Sequence, residues 1–252
     1  MHHTQLLSAI LAKYKDILGE NLVGIYVHGS IAFGCFHPDK SDIDFIVVVD
    51  HKPTQNQKEA IIQTLLDLND QAPSKGFEMS VLLEKDCRHF RHPAPFELHF
   101  SNSHIDQFRE DFSAYCKNMH GTDRDLAAHL TVIKHTGIVL YGKGIDVVFG
   151  DISKEDYIDS IIFDIENAEE DIVKSPIYVI LNLCRMLAYL QTEKVMSKQQ
   201  GGFWGMQNLP DEFKALAKEA ENAYTSGTNM RIDRVTADRY CAYMLSEINK
   251  RR

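Results

Sequence analysis

The hydrophobic periodicity of this 252-residue chain changes character once, near residue 150. Upstream, short apolar runs rich in β-branched residues recur at Leu22–Val27, Ile43–Val49, Phe77–Leu83 and 96–100, the pattern of strands buried in a sheet. Helical stripes alternate with them: Leu6, Leu7, Ile10, Leu11 and Tyr14 over 3–17; Ile61, Ile62, Leu65 and Leu66 after a Pro53-Thr54 helix start; Leu126, Leu130 and Ile133 over 123–137, closed by Gly137. Gly142-Lys-Gly144 marks a turn. Beyond Lys154 the strand-like runs stop, and apolar stripes at helical spacing cover 154–173, 176–192, 211–225 and 233–250, punctuated by Pro176, Pro210 and Gly227. Strands followed by a run of helices predict an α+β chain in two domains, 1–150 with the sheet and 151–252 as an all-helical bundle.

At 44% hydrophobic residues the chain can bury a full core. No apolar run approaches the length of a membrane span, about 20 residues. Lys13, Lys15, Asp16 and Glu20 lie where a secretory leader needs an apolar stretch. A cytoplasmic protein without membrane attachment is expected. The five cysteines, Cys35, Cys87, Cys116, Cys184 and Cys241, follow no Cys-x-x-Cys pattern and are expected as reduced, packed thiols. A formal charge of −9 argues against a nucleic-acid partner, whose affinity draws on Lys and Arg, and suits a cationic small molecule better.

One predicted strand begins oddly. Asp42 and Asp44 lead into the apolar run of Ile43–Val49, and side chains two apart on a strand share a face. Two carboxylates that close repel one another unless a cation lies between them, and oxygen-only ligands on a strand suit Mg²⁺ taken up with substrate phosphates. The preceding strand ends in Gly29-Ser30, which should open a helix and present backbone N–H groups and a hydroxyl to an anion. Glu78, near the head of the next strand, is the acidic residue between Asp70 and Glu84, and could be a general base or a further metal ligand. An anion site and a metal site on one sheet edge equip a chain for nucleotidyl transfer.

Gly29-Ser30, Asp42-Ile-Asp44 ahead of an apolar strand, and a later Glu78 together resemble the nucleotidyltransferase superfamily. The similarity extends along nearly the whole chain to the streptomycin/spectinomycin adenylyltransferase family. Phe96-Glu-Leu-His-Phe100 is similar to that family's R-E-L-Q-F, and Thr122-Asp-Arg-Asp-Leu126 with Gly137-Ile-Val-Leu-Tyr-Gly142 to its D-x-D-L-A helix and closing glycine. Tyr178-Val-Ile-Leu-Asn-Leu-Cys-Arg185, Ser197-Lys198, Trp204 and Ala223-Tyr224 fall where its helical domain carries N-V-x-L-x-L-x-R, S-K, W and A-Y. The resemblance implies a polymerase-beta-like mixed sheet followed by a helical domain that closes on nucleotide and substrate. It implies Mg²⁺ on Asp42 and Asp44, Glu78 as catalytic base, and Gly29, Ser30 and Ser41 on the phosphates of ATP. It further implies that Asp125, Lys198 and Tyr224 contact ATP, and that the protein is an antibiotic-resistance adenylyltransferase, expected as a monomer. Arg185 is either an ion-pair partner within the bundle or a phosphate ligand, and stands with the nucleotide-binding candidates.

The chain departs from that family at two places facing the drug. Ser101-Asn-Ser103 stands where G-E-W is common, and Ser175-Pro-Ile-Tyr178 where D-E-R-N is common. Three functions therefore remain open: AMP transfer to an aminoglycoside or aminocyclitol hydroxyl, the same chemistry on another small molecule or a protein side chain, and nucleotide binding without turnover. Other features have plainer alternatives. Asp42 and Asp44 could cap a turn, Ser30 could only cap its helix, Glu78 could be an exposed strand end, and Lys198 a solvated lysine. The acidic residues Asp164, Glu166, Glu169, Glu170 and Asp171 lie opposite the stripe Ile161, Ile165, Ala168, Ile172 and read as a solvated face or as a receiver of cationic groups. His89, His92, His99 and His104 cluster without the spacing of a zinc set.

Overall fold

The computed structural model describes residues 3–252, which divide into two compact units, the first ending at Ser153 and the second spanning Lys154–Arg252. In chain order the first unit runs α1 (His3–Leu18), β1 (Leu22–Val27), α2 (Gly29–Ala32), β2 (Ile43–Val49), α3 (Gln55–Leu68), β3 (Phe77–Leu83), α4 (Glu84–Arg88), β4 (Ala94–Phe96), β5 (Leu98–Ser101), α5 (Ile105–Glu110), α6 (Phe112–Asn118), β6 (Gly121–Asp123), α7 (Leu126–Thr136), β7 (Ile138–Gly142) and α8 (Ile145–Val148). The second contains α9 (Lys154–Phe163), α10 (Ala168–Asp171), α11 (Pro176–Thr192), α12 (Lys198–Asn208), α13 (Asp211–Ser226) and α14 (Arg234–Asn249). No described helix is long and apolar enough to cross a membrane.

Five strands form a mixed sheet in the order β5-β3-β2-β1-β7, in which β2 and β3 are parallel and the other pairings antiparallel. The parallel pair needs a crossover, supplied by α3, whose start is fixed by a capping box between Thr54 and Gln57. Strand alternation divides the core. Ile43, Phe45, Val47, Phe77, Met79 and Val81 pack with Ile10 and Tyr14 of α1 and Ile61 and Leu65 of α3. Ile46, Val48 and Leu82 point the other way and pack with Leu126, Leu130 and Ile133 of α7. Because both faces are covered, the strands read as continuous apolar runs. At the heads of β2 and β3 the second face changes to Asp44 and Glu78, both only partly buried.

Several expectations change in detail. The run 96–100 is two strands: Phe96 ends β4, which pairs with β6, and β5 joins the main sheet, with the Glu97 N–H donating to Val81 O at 2.8 Å between them. Ile138–Gly142, where the sequence suggests no element before the Gly142-Lys-Gly144 turn, form the sheet edge β7. Gly137 ends α7 at φ −56, outside the left-handed region, and glycine is needed there because a Cβ would lie 2.6 Å from Ile133 O. The 154–173 stripe keeps its buried side, with Ile161, Ile165, Ala168 and Ile172 at most 6% exposed, but the helix breaks after Phe163. There the N–H groups of Ile165 and Glu166 bond three residues back, so the chain tightens into turns.

The helix α12 was hidden by its composition, since Gly201, Gly202 and Gly205 weaken a helical reading. In place, each glycine meets a neighbour: a Cβ would lie 2.6 Å from Arg185 Cγ at 201, 2.9 Å from Glu221 Cβ at 202 and 2.7 Å from Cys184 Sγ at 205. The missing side chains let α12 lie close against α11 and α13. Its start is secured by a capping box between Ser197 and Gln200.

Candidate active site

Asp42 immediately precedes β2 and Asp44 is its second residue, so the two carboxylates share a face while Ile43 and Phe45 enter the core. In the parallel register Asp44 lies beside Glu78 of β3. Asp42, Asp44 and Glu78 each present an oxygen within 4.8 Å of the others, the group of three metal-type side chains found among the described residues. None of the clustered histidines belongs to such a group. Three half-buried carboxylates at that spacing form an all-oxygen donor set, the chemistry of Mg²⁺.

The β1–α2 turn closes over this group. Gly29 sits at φ +59, and a Cβ there would lie 1.8 Å from Asp44 Oδ2. The His28 N–H donates to Asp44 O at 3.0 Å, tying the turn to β2. Ser30 Oγ is buried and has no hydrogen-bond partner among the described residues. A buried hydroxyl without a partner costs about 1–3 kcal/mol, a deficit that an anion at this turn would remove. Ser41 is 2% exposed and its Oγ accepts the His37 N–H at 3.0 Å, which braces the loop leading to Asp42.

α7 brings further groups to the same face. Asp125 precedes its first residue, and its N–H donates to Asp123 Oδ1 at 2.9 Å. One turn on, His129 Nε2 lies 3.8 Å from Glu78 Oε1. The His28 ring lies against that of His129, centroids 4.8 Å apart. Burial works to lower the His129 pKa, but the fields of Glu78, Asp125, Asp44 and Asp123 outweigh it and the pKa is raised. His28 moves the opposite way, well below the usual range, through burial first and the neighbouring His129 second. Neither histidine stood out in sequence. The signal was there in Asp125 and His129 at i and i+4 on one helix face, but only the placement of α7 over the sheet gives it meaning.

The remaining candidates lie in the helical unit. Lys198 opens α12 behind the Ser197 cap, with its ammonium 4.7 Å from the Tyr178 ring centroid. Tyr178 also donates from its hydroxyl to Asp164 Oδ1 at 3.1 Å. Tyr224 is half-buried near the end of α13. Arg185 is engaged within the unit: Nε donates to Met196 O at 3.0 Å and Nη1 to Asn182 Oδ1 at 2.9 Å, clamping α11 to the residues just before Ser197. The acidic residues Glu166, Glu169 and Glu170 are exposed.

The chain resembles known proteins over its whole length. Residues 8–79 match the nucleotidyltransferase domain and residues 147–247 match the C-terminal domain of aminoglycoside adenylyltransferase. An aminoglycoside (3'') (9) adenylyltransferase of Klebsiella pneumoniae is 24% identical over 251 residues, covering 97% of this chain and 94% of that one. A spectinomycin 9-adenylyltransferase of Staphylococcus aureus is 24% identical over 214 residues, covering 83% and 80%. The crystal structure of spectinomycin adenyltransferase AAD(9) from Enterococcus faecalis with ATP and spectinomycin has the same fold, with a TM-score of 0.83, 98% of this chain and 99% of that chain covered, and 21% identity.

Proposed function

We propose that this adenylyltransferase-type enzyme belongs with the aminoglycoside adenylyltransferases and transfers AMP from ATP to a hydroxyl of an aminoglycoside or aminocyclitol antibiotic, spectinomycin or streptomycin, with Mg²⁺ and release of pyrophosphate. The observation that carries the reading is the gathering of Asp42, Asp44 and Glu78 within 4.8 Å against a glycine turn whose next hydroxyl is buried without a partner among the described residues.

In this reading Glu78 accepts the proton of the acceptor hydroxyl as its oxygen bonds to the α-phosphorus of ATP, and the bond from that phosphorus to the pyrophosphate oxygen breaks. Asp42 and Asp44 would hold Mg²⁺, which when bound neutralises charge on the phosphates and the departing pyrophosphate. Gly29 lets the backbone approach the phosphates, Ser30 offers them its hydroxyl, and Ser41 holds the loop that presents Asp42. Asp125, Lys198 and Tyr224 are assigned to the nucleotide, Lys198 as a point charge on its phosphates. Arg185 supports Lys198 through the clamp on Met196, which fixes the start of α12. Residues 1–150 are thus assigned the chemistry and residues 151–252 the nucleotide contacts of the helical domain. The net charge of −9 suits a cationic acceptor.

Purified protein given ATP, Mg²⁺ and either drug should release pyrophosphate and yield a drug heavier by one AMP in mass spectrometry. Release with neither drug nor any related aminoglycoside would sink the proposal. Ser103 and Ser175, at positions where the family commonly places an aromatic and an acidic residue, favour a second reading in which the acceptor differs and the chemistry stays. A labelled protein band in lysate incubated with enzyme and labelled ATP would select that reading.

A further inference from the structure

His129 is not among the atoms that gather within 4.8 Å, so it is a neighbour of the carboxylate group and not a member of it. Its Nε2 faces Glu78 Oε1 at 3.8 Å, close enough for the pair to attract and to tighten into a hydrogen bond with a small turn of either side chain. The ring is held from two directions. Its backbone belongs to α7, whose Leu126, Leu130 and Ile133 are packed under the sheet. Its ring lies tilted against that of His28, itself 4% exposed and tied through its backbone N–H to Asp44 O.

A glutamate has three side-chain torsions, and its terminal one is broad, so a carboxylate at the head of a strand samples many orientations unless something restrains it. A nucleophile-to-base misalignment of about 1 Å can cost about 10²-fold in rate. We propose that His129, braced by His28, is the positioning residue for Glu78, restraining its carboxylate in the orientation that receives the acceptor's proton. His129 touches neither substrate nor reacting atoms in this scheme; it acts through Glu78. The inference rests on the proposed function for its kinetic part and on the geometry alone for its structural part.

The test compares His129→Leu, which keeps bulk and removes the ring nitrogens, with His129→Gln, whose amide nitrogen reaches the place of Nε2. Expected in the adenylylation assay is a fall in kcat of about 10–100-fold for His129→Leu, with KM for ATP changed less than about twofold, and recovery of most of the loss in His129→Gln. In a Glu78→Gln background His129→Leu should lower the residual rate no further, since the two residues act as a unit. A crystal structure of ligand-free His129→Leu should show the Glu78 carboxylate turned from its place in the unaltered protein. The proposal is overturned by a raised KM with unchanged kcat, by a Gln variant no better than Leu, by an additive loss in the Glu78→Gln background, or by an unmoved Glu78. If the unaltered protein turns over neither drug nor any related aminoglycoside, the proposed function fails, and the orientation of Glu78 alone decides the role of His129.

Discussion

Gly29 and Asp44 occupy one another's space: a Cβ on the glycine would lie 1.8 Å from Asp44 Oδ2, and the glycine sits at φ +59. The β1–α2 turn and the carboxylate group can therefore meet only while residue 29 has no side chain. Gly29→Ala puts a Cβ in the left-handed region, at a cost of about 1–2 kcal/mol, and displaces Asp44 as well. The expected outcome is a melting temperature lower by a few degrees and adenylylation reduced at least about tenfold. An Ala variant as active as the parent would contradict the close approach.

Glu78 and the two aspartates have separable expected effects, although their oxygens lie within one 4.8 Å group. Glu78→Gln keeps the shape of the side chain and removes the proposed proton acceptor, so kcat should fall about 10²–10⁴-fold with ATP affinity little changed. Asp42→Asn should instead weaken Mg²⁺-dependent binding of a non-hydrolysable ATP analogue, read by calorimetry. The assignment of roles fails if Glu78→Gln turns over at the parent rate.

The carboxylate geometry was legible because strand alternation is a strict rule: once Ile43 and Phe45 go inward, Asp42 and Asp44 must share the opposite face, and a neighbouring strand with its acid near the head brings Glu78 alongside. The helices α11, α13 and α14 were legible for the same reason at a period of 3.6. The rest depends on what packs against what. The edge strand β7 is short, and its strand-forming run Ile138-Val-Leu-Tyr141 lies between Gly137 and the Gly142-Lys-Gly144 turn; at the sheet edge Ile138 and Val139 stay 45% and 40% exposed. α12 looks like a loop because its three glycines are selected by α11 and α13, not by its own helix. His129 gains its meaning only from α7 lying across the second face of the sheet.

The close packing of α12 gives a prediction with a definite sign. On an exposed helix Gly→Ala stabilises by up to about 1 kcal/mol, but a Cβ at Gly205 would lie 2.7 Å from Cys184 Sγ and 3.1 Å from Ala217 Cβ, both buried. Gly205→Ala should therefore destabilise the helical unit, by about 1–3 kcal/mol, as overpacking does. Chemical denaturation of the two proteins side by side measures it, and a stabilised variant would mean that α12 does not sit this close.

Acid should weaken the fold through His99. Burial pushes its pKa from 6.5 down to about 4, against the pull of Asp123 and with help from His104 and His129, while its Nδ1 and the Ser80 hydroxyl lie 2.9 Å apart. Below pH 6.5 the unfolded chain binds a proton here that the folded chain refuses until about pH 4. In that window the unfolded state carries more protons, so stability falls as pH falls, with a slope of up to about 1.4 kcal/mol per unit. His28, also lowered, adds to the trend, whereas the raised His129 opposes it, contributing stability that is present in acid and lost as pH rises through its folded pKa. The His99 share is isolated by His99→Asn, whose amide can keep the contact with Ser80 and does not titrate. Denaturant midpoints at pH 7.5 and pH 5 should show the parent losing up to about 2 kcal/mol more than the variant on acidification. An equal loss in both would show that the His99 ring takes up its proton in the folded state as readily as in the unfolded one.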